Sequence, residues 1–188
     1  MNIPSYNTCC KLLERYAVPE HIVLHSRQVA RISLCLGEGL AVAGVDLARD
    51  LLLSAALLHD IAKMASIENG RDHAGLGAEW LAAQGYVEIA EIVRNHVRLE
   101  TDLDGPIVAK EIIYYADKRV RHDEIVSVKE RMLDLRRRYG VNSASLTPMD
   151  ELEGLTLAVE KKIFACLDFS PDEILQRCYG KNLLTYSA

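Results

Sequence analysis

Residues 51–63 read LLLSAALLHDIAK, from Leu51 to Lys63. From Leu51 to Ile61 the run is apolar nearly all round, which marks a helix at the centre of a core rather than on its surface. It nevertheless carries an adjacent histidine and aspartate, His59 and Asp60, where the pattern asks for apolar side chains. A carboxylate is almost never taken fully inside a protein unless it is paired or bound to a metal ion.

Outward from this stretch the periodicity stays helical. Pro19-Glu20 opens a long helix whose stripe is Ile22, His25, Val29, Ile32 and Leu36, and Val45-Asp46 leads into the central one. Asn69-Gly70 breaks the chain, after which Asp72 can cap a helix from His73 to about Gln84 that Gly85 ends. Another helix is expected from Val87 to about Arg98. A polar loop then leads to Pro106, placed to start a helix with Ile113, Asp117 and Val120 on one stripe. Ile125, Val128, Met132 and Leu135 form the inner face of a polar helix ending at Gly140, with Asp123 as its cap and Glu124 in its first turn. On that reading the second His-Asp pair, His122-Asp123, is structural. A loop over 142–148 and helices over about 149–167 and 172–179 complete the chain. No segment alternates as a strand does, so the fold expected is all-α. It is read as a single domain over 1–188, with a core over 20–120. Residues 121–188 form a C-terminal helical extension, packed through Leu152, Leu155, Val159 and Ile163.

With 188 residues, 49% of them apolar, the chain can bury a sufficient core without disulfides. Its five cysteines are odd in number and make no CxxC pair, so reduced thiols are expected. The net charge of −5 argues against general nucleic-acid binding. The stretch Lys118–Arg138 runs the other way, with eight basic and four acidic residues, and reads as a solvated helix face. The longest apolar uncharged run is the eight residues Leu51–Leu58. Roughly 20 are needed to span a bilayer. The opening MNIPSYNTCC resembles no signal peptide, so a soluble, cytoplasmic protein is expected.

Three histidines and two aspartates occupy predicted inner faces: His25, His59, His96, Asp60 and Asp117. One shared reason accounts for all five. A divalent cation such as Fe, Mn, Co, Ni or Zn takes imidazole nitrogen and carboxylate oxygen as ligands. Lys63 lies four residues after His59 and Arg121 four after Asp117, so both can reach such a site. Both would offer positive charge to an anionic substrate held there.

In order along the chain, His25 in HSRQVA, His59-Asp60 in LLHDIAK and Asp117 in YYADKRV resemble the HD superfamily of metal-dependent phosphohydrolases. These are all-helical proteins named for the adjacent His-Asp pair. The resemblance implies that these four positions hold metal, with Asp60 as the bridging carboxylate. It also implies that His73 in HAGLGA and His96 in RNHV complete a second ion. The nearest likeness is to a small bacterial two-metal branch that hydrolyses diadenosine polyphosphates, although Val97 and Lys118-Arg119 differ from that branch. The expected partner is a small phosphorylated or nucleotide substrate, attacked by water that the metal activates. Two alternatives use the same residues. One is a non-catalytic nucleotide-binding helical signalling module with a residual metal site; the other is oxygen-dependent chemistry at a di-iron pair.

Overall fold

The stripe Ile22, His25, Val29, Ile32 and Leu36 is buried along its whole length. A computed structural model, which describes residues 2–139 and 146–179, shows why. Helix α2 (Glu20–Val42) carries that stripe and packs on α3 (Arg49–Leu58), where every residue from Leu52 to Leu58 is buried. Around α3 lie α1 (Tyr6–Arg15), α6 (Val87–Asn95) and α7 (Ala109–Asp117), so the stretch that is apolar all round is indeed the central element. Between them come α4 (Lys63–Asn69) and α5 (His73–Ala83), the latter paired with α6. After α7 the chain makes a hairpin of two short antiparallel strands, β1 (Val120–Arg121) and β2 (Glu124–Ile125). Then follow α8 (Val128–Tyr139), α9 (Leu146–Phe164), a single 3₁₀ turn and α10 (Ile174–Tyr179). The fold is all-α apart from that hairpin. No helix among the described residues is long and apolar enough to cross a membrane.

Local chemistry sets most boundaries. The Asp72 carboxylate accepts the Gly75 N–H at 2.8 Å and starts α5, and Gly85, at φ +83°, lets the chain turn away after it. Four expectations are corrected. The helix assigned to Pro106 begins at Ala109, because the Val108 N–H is capped by the Glu111 carboxylate at 3.0 Å. That helix stops at Asp117, which moves Val120 into β1. The helix assigned to Asp123 begins at Val128, where Ser127 and Glu130 form a reciprocal cap; Asp123 and Glu124 belong to the hairpin. Of the loop expected over 142–148, residues 142–145 lie outside the described residues, as does Gly140, while 146–148 belong to α9. Helices α1 and α4 were not foreseen.

Helix α9 lies on α7. Tyr114 and Thr156 hydroxyls meet at 3.2 Å, Tyr115 donates to Glu160 at 2.5 Å, and Val159 and Ile163 are fully buried. Both tyrosines are therefore core residues.

Candidate metal centre

Three helices end at one point. Helix α3 stops at His59, α6 at His96, and α7 at Asp117. Each of the two histidines turns back to fill an orphan carbonyl of its own helix end. The Nδ1–H of His59 donates to Ala56 O at 2.7 Å, and that of His96 to Val93 O at 2.6 Å. His25, on α2, is pinned in the same manner by the carbonyl of His122 at the hairpin tip, 2.8 Å away. A carbonyl oxygen can only accept, so all three rings carry their proton on Nδ1 and present the Nε2 lone pair inward. The converging C-termini of the three helices also direct their negative ends at this spot, which favours a cation.

Around those lone pairs lie a buried carboxylate, Asp60, and a half-buried one, Asp117. Asp60 Oδ1 is 3.1 Å from His73 Nε2 and 3.5 Å from His96 Nε2, and its Oδ2 is 3.7 Å from His59 Nε2. Asp117 Oδ1 is 3.0 Å from His25 Nε2 and 3.7 Å from His59 Nε2. Its Oδ2 is held at 2.9 Å by Lys118, which also donates to the His96 carbonyl at 2.6 Å. Two groups have ligand atoms all within 4.8 Å of one another: His25, His59 and Asp60, and Asp60, His73 and His96. They share Asp60. Asp117 belongs to neither group but touches His25 and His59.

The donor set fits a divalent cation. His59 Nε2 is buried with no hydrogen-bond partner, and lone pairs aimed at carboxylate oxygens repel unless positive charge lies between them. Burial pushes His59 toward the neutral form, yet the Asp60 and Asp117 carboxylates outweigh it and hold its pKa above the ordinary value. Burial would raise Asp60, but His59 above all, then His73, His96 and Lys63, keeps it well below the usual carboxylate range. Asp117 is held low against burial by Lys118, His25 and His59. Burial drives His96 down to about 4, so that ring is neutral near pH 7. An ionised carboxylate and a neutral imidazole are the metal-binding forms.

Lys63 arrives by a route the helical spacing did not describe. Helix α3 has already ended, and Lys63 opens α4 beyond the His-Asp turn. Its Nζ lies 3.4 Å from Asp60 Oδ1 and 3.3 Å from His73 Nε2, with the side chain 40% exposed. Arg121 is corrected. Because α7 ends at Asp117, a four-residue spacing no longer puts the two on one face; Arg121 pairs with Glu124 across the hairpin at 2.7 Å and does not line the cavity.

That cavity, about 590 Å³, opens over Asp60, Lys63, His73 and His96. His21 and Ile67 reach it, whereas the polar loop over 98–106 does not. Four participants were missed on sequence grounds: Lys118, the His122 carbonyl, and the basic residues Arg131 and Arg138, which also line it. The available signal was the cationic run from Lys118 to Arg138, which part of the structure turns inward.

Comparison with known proteins gives one match. The family model described as HD domain fits residues 22–122, a span that holds all six ligand candidates and ends before α8. No curated protein and no solved structure matched the chain.

Proposed function

The chain belongs to the HD domain family, generally metal-dependent hydrolases, and on that premise we propose that it hydrolyses a phosphoester or phosphoanhydride bond of a nucleotide-like substrate. The observation that carries this reading is the locking of three imidazoles by backbone carbonyls so that their Nε2 lone pairs converge beside Asp60 and Asp117. We place one divalent ion with His25, His59, Asp60 and Asp117, and a second with Asp60, His73 and His96. A bound divalent ion supplies Lewis-acid chemistry there, acidifying water and neutralising phosphoryl oxygens. Asp60 would be shared by both positions, since its Oδ1 faces His73 and His96 and its Oδ2 faces His59. Lys118 binds the outer oxygen of Asp117 and so leaves the inner one facing His25 and His59. Lys63, solvated and next to Asp60, is placed to meet a phosphoryl oxygen as charge develops on it. Ile22, Met64 and Ile67 on the cavity wall offer an apolar surface to the rest of the substrate. The convergence of His73 and His96 on Asp60 Oδ1 supports the finer likeness to the small two-metal branch.

Elemental mass spectrometry on untagged protein, purified without chelator or added metal, tests this directly. Two first-row ions per chain are expected. Asp60→Asn is expected to fold, by circular dichroism, and to lower hydrolysis by roughly 10³-fold or more. A chain that binds no Mn, Fe, Co, Ni or Zn even after reconstitution would overturn the reading, as would near-wild-type turnover in Asp60→Asn.

A further inference from the structure

The cavity extends well past the ligand candidates. Its far wall comes from α8 and α9, which lie beyond the matched HD span: Arg131, Leu135 and Arg138 from the first, Met149 and Leu152 from the second. Arg131 and Arg138 share a single carboxylate, Asp134, each at 3.0 Å. The Nε of Arg131 is buried and has no hydrogen-bond partner. Arg138 donates to His122 Nε2 at 2.8 Å, and the carbonyl of that same His122 holds His25. One residue therefore joins a candidate metal ligand to the arginine pair. Asp123 lines the cavity too, but bonds neither guanidinium.

We propose that Arg131, Arg138 and His122 form a second anion subsite, with Leu135, Met149 and Leu152 as an apolar platform beside it. The substrate is then a nucleoside carrying a chain of condensed phosphates. One phosphoryl group lies at Asp60 and Lys63, a further one lies between the guanidiniums, and the ring lies on the platform. Guanidinium forks suit phosphate oxygens in this way, and Asp134 occupies them until a phosphate competes. The proposal deepens the hydrolase reading and rests on it for the bond broken, whereas the binding preference stands on the wall itself.

Equilibrium binding of ATP, AMP and inorganic tripolyphosphate, measured at low temperature on the protein as purified and again after chelator treatment, separates the two. ATP is expected to bind at least about tenfold tighter than AMP. The double variant Arg131→Gln/Arg138→Gln should erase that margin with an unchanged circular dichroism spectrum. Asp134→Asn, which frees both guanidiniums, should widen it, a gain that misfolding cannot produce. Tripolyphosphate should bind more weakly than ATP, because it leaves the platform empty. Equal ATP and AMP affinities in the wild type, or a margin that survives the double variant, would overturn the subsite; tripolyphosphate binding as tightly as ATP would overturn the platform. A chain that keeps the margin but neither holds metal nor hydrolyses anything would instead sink the hydrolase reading and leave this one standing.

Discussion

Lys63 and Lys118 approach the same pair of carboxylates under opposite conditions of solvation. Lys118 is buried, donates to Asp117 and to the His96 carbonyl, and lies 4.4 Å over the Tyr114 ring, so its ammonium is fully engaged. Lys63 is 40% exposed and makes longer contacts, to Asp60 and His73. The first can only orient; the second can move to a ligand. Lys63→Ala is therefore expected to lower kcat about 10²–10³-fold while metal content and melting temperature hold. Lys118→Met should instead weaken metal affinity by roughly 10–100-fold, since Asp117 loses the partner that aims it. Parallel metal titration and turnover assays distinguish the two, and loss of metal in Lys63→Ala would move Lys63 from the substrate to the support of Asp60. Lys63 was legible because it lies close behind the His-Asp pair, although it reaches the site from the first turn of α4 and not from the face of α3. Lys118 was not, because it neighbours Asp117 in sequence and successive helical residues point apart. Only the end of α7 at Asp117 lets the ammonium fold back onto its neighbour.

Helix α5 was legible end to end because its signals are local: a capping aspartate, an apolar run, and a glycine in the left-handed region. The same cap positions a ligand candidate, since His73 is the first residue after Asp72. Asp72→Ala is expected to cost about 1 kcal/mol of stability and to lower metal occupancy by loosening His73. Burial would raise the Asp72 pKa, but the Gly75 N–H, then His73, outweigh it and hold it below the ordinary 3.8. A depressed folded-state pKa means that the cap contributes fully above that ordinary value and fades as pH falls through the lower one. Thermal melts of wild type and variant should accordingly differ near pH 6 and converge as the pH drops below about 3.8; a gap that persists under acid would remove the cap from the account. The start of α8 was misread for the opposite reason. Asp123-Glu124 and Ser127-Glu130 are both acceptable helix starts, and long-range pairing chooses between them. The Val126 N–H donates to the Arg119 carbonyl at 2.8 Å, which keeps 119–126 in the hairpin and leaves Ser127 to cap. Nothing local to residues 122–130 announces that bond.

At the scale of the molecule, the ligand candidates stood out because histidine and aspartate break an apolar pattern. Arg131 and Arg138 did not, because an arginine on a polar helix looks the same whether it faces water or a cavity. What joins the two halves is Arg119, buried just past the metal-proximal end of α7. Its Nε donates to the Val126 carbonyl at 2.6 Å, and one terminal nitrogen donates to the Tyr115 hydroxyl at 2.6 Å and lies 3.4 Å from Glu160 on α9. The other donates to the Pro171 carbonyl at 3.0 Å. A single guanidinium thus ties α7, the hairpin, α9 and the 3₁₀ turn together. Removing it takes the counter-ion from a partly buried carboxylate and a donor from two carbonyls, so Arg119→Met is expected to cost about 3–5 kcal/mol. The loss should also reach the metal centre. The hairpin that Arg119 fastens carries the His122 carbonyl, and that carbonyl fixes the Nδ1 proton of His25. Metal affinity should then fall by roughly 10–100-fold at a temperature where the variant is still folded. Chemical denaturation with a metal titration below the unfolding midpoint checks both. A variant as unstable as expected but with undiminished metal affinity would show that α2 alone can hold His25 in place, and that the hairpin serves the bundle rather than the site.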